Sequence, residues 1–197
     1  MRSRRSVVLA TVIAAAALAV LAAACGGGGS TTYTNKDYKF SVTYDSSLLT
    51  ESTSTSAAGA AGGKSVFDVG FVDPKGTKIG GKYRDGMIVS IYKLTQTVTD
   101  SMLPLVKTEL EGILPQLKAA LGGNATLGSL TDVNVNGAKG FASDATFTWS
   151  GTAFKAKVYF LIKGNLEYQA TAQAAESRWS DLQPVFKTMM DSFKVTQ

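Results

Sequence analysis

The sequence contains no histidine and a single cysteine, Cys25. The missing histidine excludes Ser-His-Asp and Cys-His catalytic arrangements, histidine-bearing zinc sites and the commonest neutral-pH general base. One cysteine excludes a disulfide within the chain, so a hydrophobic core must hold the fold alone. Long apolar runs are also scarce. The first, Val7 to Leu21, falls short of the roughly 20 residues a membrane span needs. Charge is low at 18% of residues, with 20 basic against 15 acidic side chains and a formal net of +5. Three of those basic residues, Arg2, Arg4 and Arg5, precede the apolar run, so the remainder is close to neutral and gives no argument for nucleic acid.

The leader has three zones: the arginines, the uncharged stretch from Val7 to Leu21, and small Ala22 to Ala24 before Cys25. That is the layout of an export signal. Leu21-Ala22-Ala23-Ala24-Cys25 resembles the bacterial lipobox, whose cysteine thiol is diacylglycerylated before cleavage. The resemblance implies that residues 1–24 are a removed signal peptide. Cys25 then becomes a lipid-modified, palmitate-bearing N-terminus on the extracytoplasmic side of the cell membrane. The competing readings are a plain secreted protein, left with an exposed reactive thiol, and an uncleaved membrane helix. The second suffers from the short run and from Gly26 to Gly29 directly after it. Residues 25–33 read as lipidated cysteine plus flexible tether, of which Gly26 to Thr32 spans about 15 Å as random coil. Residues 34–197 read as one domain, interrupted at 51–64 by a low-complexity Ser/Thr/Ala/Gly loop.

Within the domain, Tyr38 to Tyr44 alternates large and polar residues, the pattern of a half-buried strand. Further strands are expected at Val66–Val72, with Phe67, Val69 and Phe71 on one face, and at Met87–Leu94. Asp73-Pro74-Lys75-Gly76 between them is turn chemistry. A helix over about Ser101–Ala120 carries a stripe of Leu103, Val106, Leu110, Ile113, Leu114, Leu117 and Leu121. Asp100 or Ser101 can cap it, Gly122-Gly123 can stop it, and Pro115 predicts a kink or a division in two. Four meandering strands then follow at Thr126–Val135, Lys139–Trp149, Ala153–Lys163 and Leu166–Gln173. Hairpins are expected at Asn136-Gly137, Ser150-Gly151 and Gly164-Asn165. A last helix begins near Ser180, with Trp179, Leu182, Phe186, Met189 and Phe193 at helical spacing. Strands grouped before and after helices predict an α+β domain: an antiparallel sheet of about six to seven strands with two helices packed on it.

Three stretches resemble domains related to PsbP, the extrinsic subunit of photosystem II, and the bacterial DcrB-like lipoproteins. They are Tyr33 to Tyr44, the Val133-Asn134-Val135-Asn136-Gly137-Ala138 hairpin, and the ending from Trp179 through Phe186 to Asp191-Ser192-Phe193-Lys194. The resemblance implies a sheet with helices against it and a final helix closing on a short strand. It also implies a non-catalytic protein that binds or steadies something else.

Candidate sites are few. Asp68, Asp73 and Asp85 bracket one hairpin, but their spacing fits no calcium loop, and solvated turn acids are the favoured reading. Lys155, Lys157 and Lys163 share a strand face and suit either anionic headgroups or plain solubility of the sheet. Trp149 beside Ser150-Gly151 is either an exposed anchor or, as its alternation with Phe147 favours, core. Met189-Met190 reads as core and its margin, and Asn124-Ala125-Thr126 as a glycosylation acceptor without a user. No metal, cofactor or catalytic residue is assigned. The sequence points to a membrane-tethered accessory module of the cell envelope, with an unknown envelope protein or lipid as partner. The alternatives are a lipid or glycolipid carrier, which needs an acyl-sized cavity, and an enzyme of unknown class using carboxylates or Ser-Lys chemistry.

Overall fold

The computed structural model describes residues 29–52, 65–120 and 124–196. Cys25, the leader, most of the 51–64 loop and the Gly122-Gly123 helix stop lie outside them. The chain opens with a hairpin of β1 (Ser30–Asn35) and β2 (Phe40–Asp45), followed by β3 (Thr50–Ser52) and β4 (Phe67–Val72). A two-stranded ribbon, β5 (Lys78–Ile79) and β6 (Lys82–Tyr83), precedes the long β7 (Gly86–Val98). After α1 (Leu103–Ala120) come β8 (Thr126–Leu127), β9 (Thr131–Val135), β10 (Ala138–Trp149) and β11 (Thr152–Ala175). Helix α2 (Glu176–Ser192) and β12 (Lys194–Val195) close the chain.

Two sheets carry the architecture. The large one has seven strands in the order β3-β4-β7-β11-β10-β8, with β9 beside β10, and its pairings are antiparallel. The small one is β1-β2-β12. The small sheet and α2 share one face of the large sheet, and α1 occupies the other. An aromatic cluster fills the space between the sheets: Phe40 stacks on Phe193 at 5.6 Å and meets Tyr168 edge-on at 6.0 Å. The Tyr168 hydroxyl donates to the Tyr38 carbonyl at 2.8 Å, which satisfies the one polar group of that buried ring. Alanines 170, 172 and 174 line the strand beneath α2, so the helix settles close and buries Leu182, Phe186, Met189 and Met190. Both methionines of the pair are therefore core.

Helix α1 is held by a smaller cluster, in which Leu110 and Leu117 meet Phe141, Val158 and Phe160. Of the kink or division expected at Pro115, the division is absent: one helix runs through that position. Pro115 and Glu111 both face solvent, so the carbonyl that proline leaves without a donor can bond water. Neither Asp100 nor Ser101 caps it. The chain enters through a 3₁₀ turn over Asp100–Met102, and the Asp100 carboxylate goes to Lys139.

The strands differ from the expected meander in three ways. Ser30 to Tyr33, expected in the tether, form the first four residues of β1, where Thr32 bonds Thr43 across the ladder at 2.9 Å. Leu130 turns inward under α1 and divides the Thr126–Val135 strand into β8 and β9. The two hairpins at Asn136-Gly137 and Ser150-Gly151 are present, with positive φ at all four residues. The third is absent. Gly164, at φ 64°, accommodates a bulge, and β11 continues straight through it. The first half of β11 pairs with β10 and the second with β7. The bulge also shifts the pleat by one residue: Tyr159 and Leu161 face the main core before it, Leu166 and Tyr168 after it.

Candidate functional site

The acids thought to be turn residues prove to be buried. Asp73 is 6% exposed and Asp85 fully buried, and Arg178 in the first turn of α2 bridges them. Its Nη2 donates to Asp73 at 2.6 Å and its Nη1 to Asp85 at 2.7 Å. Asp85 also accepts the backbone N–H groups of Thr77 (2.8 Å) and Ala175 (2.9 Å), so its lone pairs are well used. Both the calcium reading and the solvated reading give way to an ion-pair knot that fastens α2 to the β4–β7 connection. Asp68 belongs elsewhere, half-buried on the opposite face of β4 with Ser65 donating to it.

The lysine face is largely neutralised by its own chain. Lys155 pairs with Glu176 at 2.9 Å and Lys157 with Asp144 at 3.5 Å, while Lys163 is exposed. Trp149 is half-buried, packed against Phe154 with the Arg84 guanidinium 3.8 Å from the ring centre. A covered indole of this kind is not a free anchor. Asn124 is exposed.

Two features that sequence reasoning missed stand out. The first is a groove of about 490 Å³ between the start of α1 and the β9–β10 hairpin. Leu103, Pro104, Val133 and Phe141 form an apolar floor. Two exposed ion pairs, Lys107–Asp132 at 3.0 Å and Asp100–Lys139, flank it. Such pairs hold their geometry weakly, at roughly 0–1 kcal/mol each, so an occupant's charges can displace them.

The second lies on the face of the large sheet that carries α1. Tyr92 on β7 and Glu167 on β11 are direct cross-strand partners, and so are Ser90 and Gln169. Asp68 on β4 stands across from Ser90 on its other side. This is a polar row over three central strands, yet Tyr92, Glu167 and Gln169 are 8%, 7% and 3% exposed. Among the described residues the Tyr92 hydroxyl and the Gln169 Oε1 are buried with no partner within hydrogen-bond distance, the Ser90 hydroxyl being the neighbour that acts on Tyr92. Among the described residues no ion pair reaches Glu167, and burial pushes its carboxyl up to about 7. Burial, with the acids Asp68 and Glu167 behind it, pushes the Tyr92 hydroxyl up to about 12, against a small opposing effect of the Ser90 hydroxyl. The only sequence signal was a polar residue at every second position of Glu167-Tyr168-Gln169, which equally fits a wet face. Among the described residues no group of three or more acids or cysteines is arranged to hold a metal ion.

No family model matches the chain, and no curated protein matches it in sequence. Solved structures do. Cyanobacterial PsbP (CyanoP) from Synechocystis sp. PCC 6803 superposes with a TM-score of 0.55 at 17% identity, over 88% of this chain and 98% of that one. A crystal structure from Bacteroides thetaiotaomicron gives a TM-score of 0.54 at 10% identity, over 84% of this chain. This chain spans 48% of that protein's length. LpqN of Mycobacterium tuberculosis, described as involved in cell envelope biogenesis, aligns at 11% identity over 87% of each chain, with a TM-score of 0.47. For CyanoP the likeness is one of fold: two helices on a mostly antiparallel sheet, in the PsbP-like arrangement.

Proposed function

We propose that the chain is a lipid-anchored, extracytoplasmic binding or accessory module of the cell envelope, tethered through Cys25 and acting without catalysis. The sequence supports the anchor: a charged start, an apolar stretch, small residues and a lone cysteine stand immediately ahead of four glycines. Strand β1 begins at Ser30, which leaves a tether of only a few residues between lipid and fold. Among the described residues no helix is long and apolar enough to cross a membrane, so the lipid would be the means of attachment for this part of the chain.

The observation that carries the binding role is the groove beside α1. Its volume falls within the roughly 300–1,000 Å³ of small-ligand and peptide-sized pockets. A lipid carrier would present a wholly apolar channel, whereas this groove is flanked by charged pairs at both sides. The main core between the sheets is packed with contacting aromatic rings, which favours a closed interior over an acyl channel. An occupant with an apolar centre and polar ends, such as an extended segment of an envelope protein, fits better.

The test is fractionation of cells expressing the chain with Cys25 intact or replaced. Labelled palmitate should enter the parent and not Cys25→Ser, and the variant should leave the membrane fraction, because stable anchoring takes about two acyl chains. A serine variant still processed at residue 24 and still membrane-bound in high salt would refute the anchor. Native mass spectrometry of the parent then distinguishes the carrier: stoichiometric retained lipid, beyond that on Cys25, would replace the accessory reading.

A further inference from the structure

We propose that the polar row formed by Tyr92, Glu167 and Gln169 is a binding site for a small organic cation, a primary ammonium group on a short aliphatic ligand. The inference is independent of the lipid anchor and of the groove beside α1.

The register brings the groups together. Tyr92 and Glu167 are directly paired across β7 and β11, and Gln169 lies two residues along on the same face, opposite Ser90. Three side chains more than nine-tenths buried therefore share one patch of the sheet face, and among the described residues two of them leave a polar atom outside hydrogen-bond distance of any partner. Unsatisfied buried polar atoms cost about 1–3 kcal/mol each, so a cluster of them in one place calls for a complement. The Gln169 Oε1 can only accept, the Tyr92 oxygen can accept while its own O–H turns to another oxygen, and among the described residues no ion pair reaches the Glu167 carboxylate. An ammonium group brings three donors and no acceptor, which matches that count.

Charge points the same way. The titratable groups around Glu167 are Tyr92 from β7 and, one strand further, Asp68 from β4, and both are acids. The cations nearest in the chain, Lys93 and Lys163, occupy pleat positions on the opposite face and are exposed. The fold thus gathers negative capacity and supplies no counter-ion of its own among the described residues. Ile88 and Leu94, half-buried on the same face of β7, bracket the row and suit a short hydrocarbon portion. The low exposure of all three polar residues favours a small enclosed molecule over a lysine presented by a folded partner.

Binding requires Glu167 to give up its proton, and its carboxyl is held near 7. Uptake of the cation should therefore release about one proton below that pH and weaken about tenfold per pH unit as acidity increases. The experiment is isothermal titration of the full chain in detergent with n-butylammonium chloride, using n-butanol as the neutral isostere. At about pH 8 the cation should bind and the alcohol bind at least about tenfold more weakly, since only the ion pairs with the carboxylate. Glu167→Gln retains the shape and is expected to fold, and it should weaken the cation at least about tenfold while leaving the alcohol unchanged. Tyr92→Phe should weaken it by a smaller factor. Equal binding of cation and alcohol, an unaffected Glu167→Gln, or no cation heat up to about 10 mM would overturn the proposal. The last result is what the cluster would give if ordered water alone satisfied it.

Discussion

The side-chain amide of Asn136 donates to the backbone carbonyl of Phe193 at 2.8 Å, and to that of Asp191 at the same distance. A hairpin tip thereby terminates a helix whose end lies more than fifty residues further along the chain. The last carbonyls of α2 have no donor within the helix, and Asn136 supplies one without any capping glycine. Asn136 also holds φ 48° in the turn, a conformation that asparagine tolerates better than most residues.

Asn136→Gly separates the two roles. Glycine keeps the turn and removes the amide, so the domain should lose about 1–2 kcal/mol, the order expected for two partly exposed hydrogen bonds. Urea melts measure the loss, and amide exchange should quicken in the last turn of α2. An unchanged midpoint with unchanged exchange would show that the tie contributes nothing.

Arg178→Ala should cost more, about 3–5 kcal/mol, because it strands two carboxylates of which Asp85 is fully buried. Arg178→Lys should recover only part of this. One ammonium cannot reproduce the two nitrogens that address Asp73 and Asp85 separately. The same knot forbids a side chain nearby: a Cβ at Gly76 would stand 2.9 Å from both Arg178 Nη1 and Asp85 Oδ2. Gly76→Ala should therefore lower the thermal midpoint as well. A stability of Arg178→Ala within about 1 kcal/mol of the parent would mean that water replaces the guanidinium and the knot is dispensable.

Glu167 sets a pH dependence whose sign is opposite to that of a paired acid. Its folded value of about 7 lies above the ordinary 4.5, so the native state binds the proton more tightly than the unfolded chain. It has no effect on stability well below the unfolded value. Stability then falls as pH rises between the two values, by roughly 1.4 kcal/mol per unit, and levels off above the folded one. The whole loss is roughly 3 kcal/mol. Glu167→Gln removes it. In phosphate buffer free of amines, the variant's advantage in urea should be near zero at about pH 4 and largest at about pH 8. An advantage that shrinks with pH would contradict the burial of this carboxyl.

Much of the architecture was legible in local pattern. Alternation located β2 and β4, a run apolar on both faces located β7, the three-four spacing located α1, and Asn136-Gly137 and Ser150-Gly151 located their hairpins. Gly164-Asn165 misled because a glycine with positive φ serves a bulge as well as a turn, and only the partner strands decide which. The site was hidden for a related reason. Arg178 meets acids about a hundred residues away, and no short-range signal distinguishes such a partner from a solvated arginine. The polar positions around Tyr168 alternate as they would on a wet face, and their burial arises only from tertiary cover.

The unbroken β11 also governs the order in which the domain can assemble. Its second half must find β7, joining Gln173 to Gly86 across nearly half the chain, before the alanine strip that receives α2 exists as a surface. Closing so large a loop precedes most of the reward, which places the chain among the slow folders of millisecond-to-second timescale. Until that closure, α2 and the aromatic residues of β2 have nothing to dock on, and the rate at which β7 and β11 meet sets the interval during which they stand exposed to other chains.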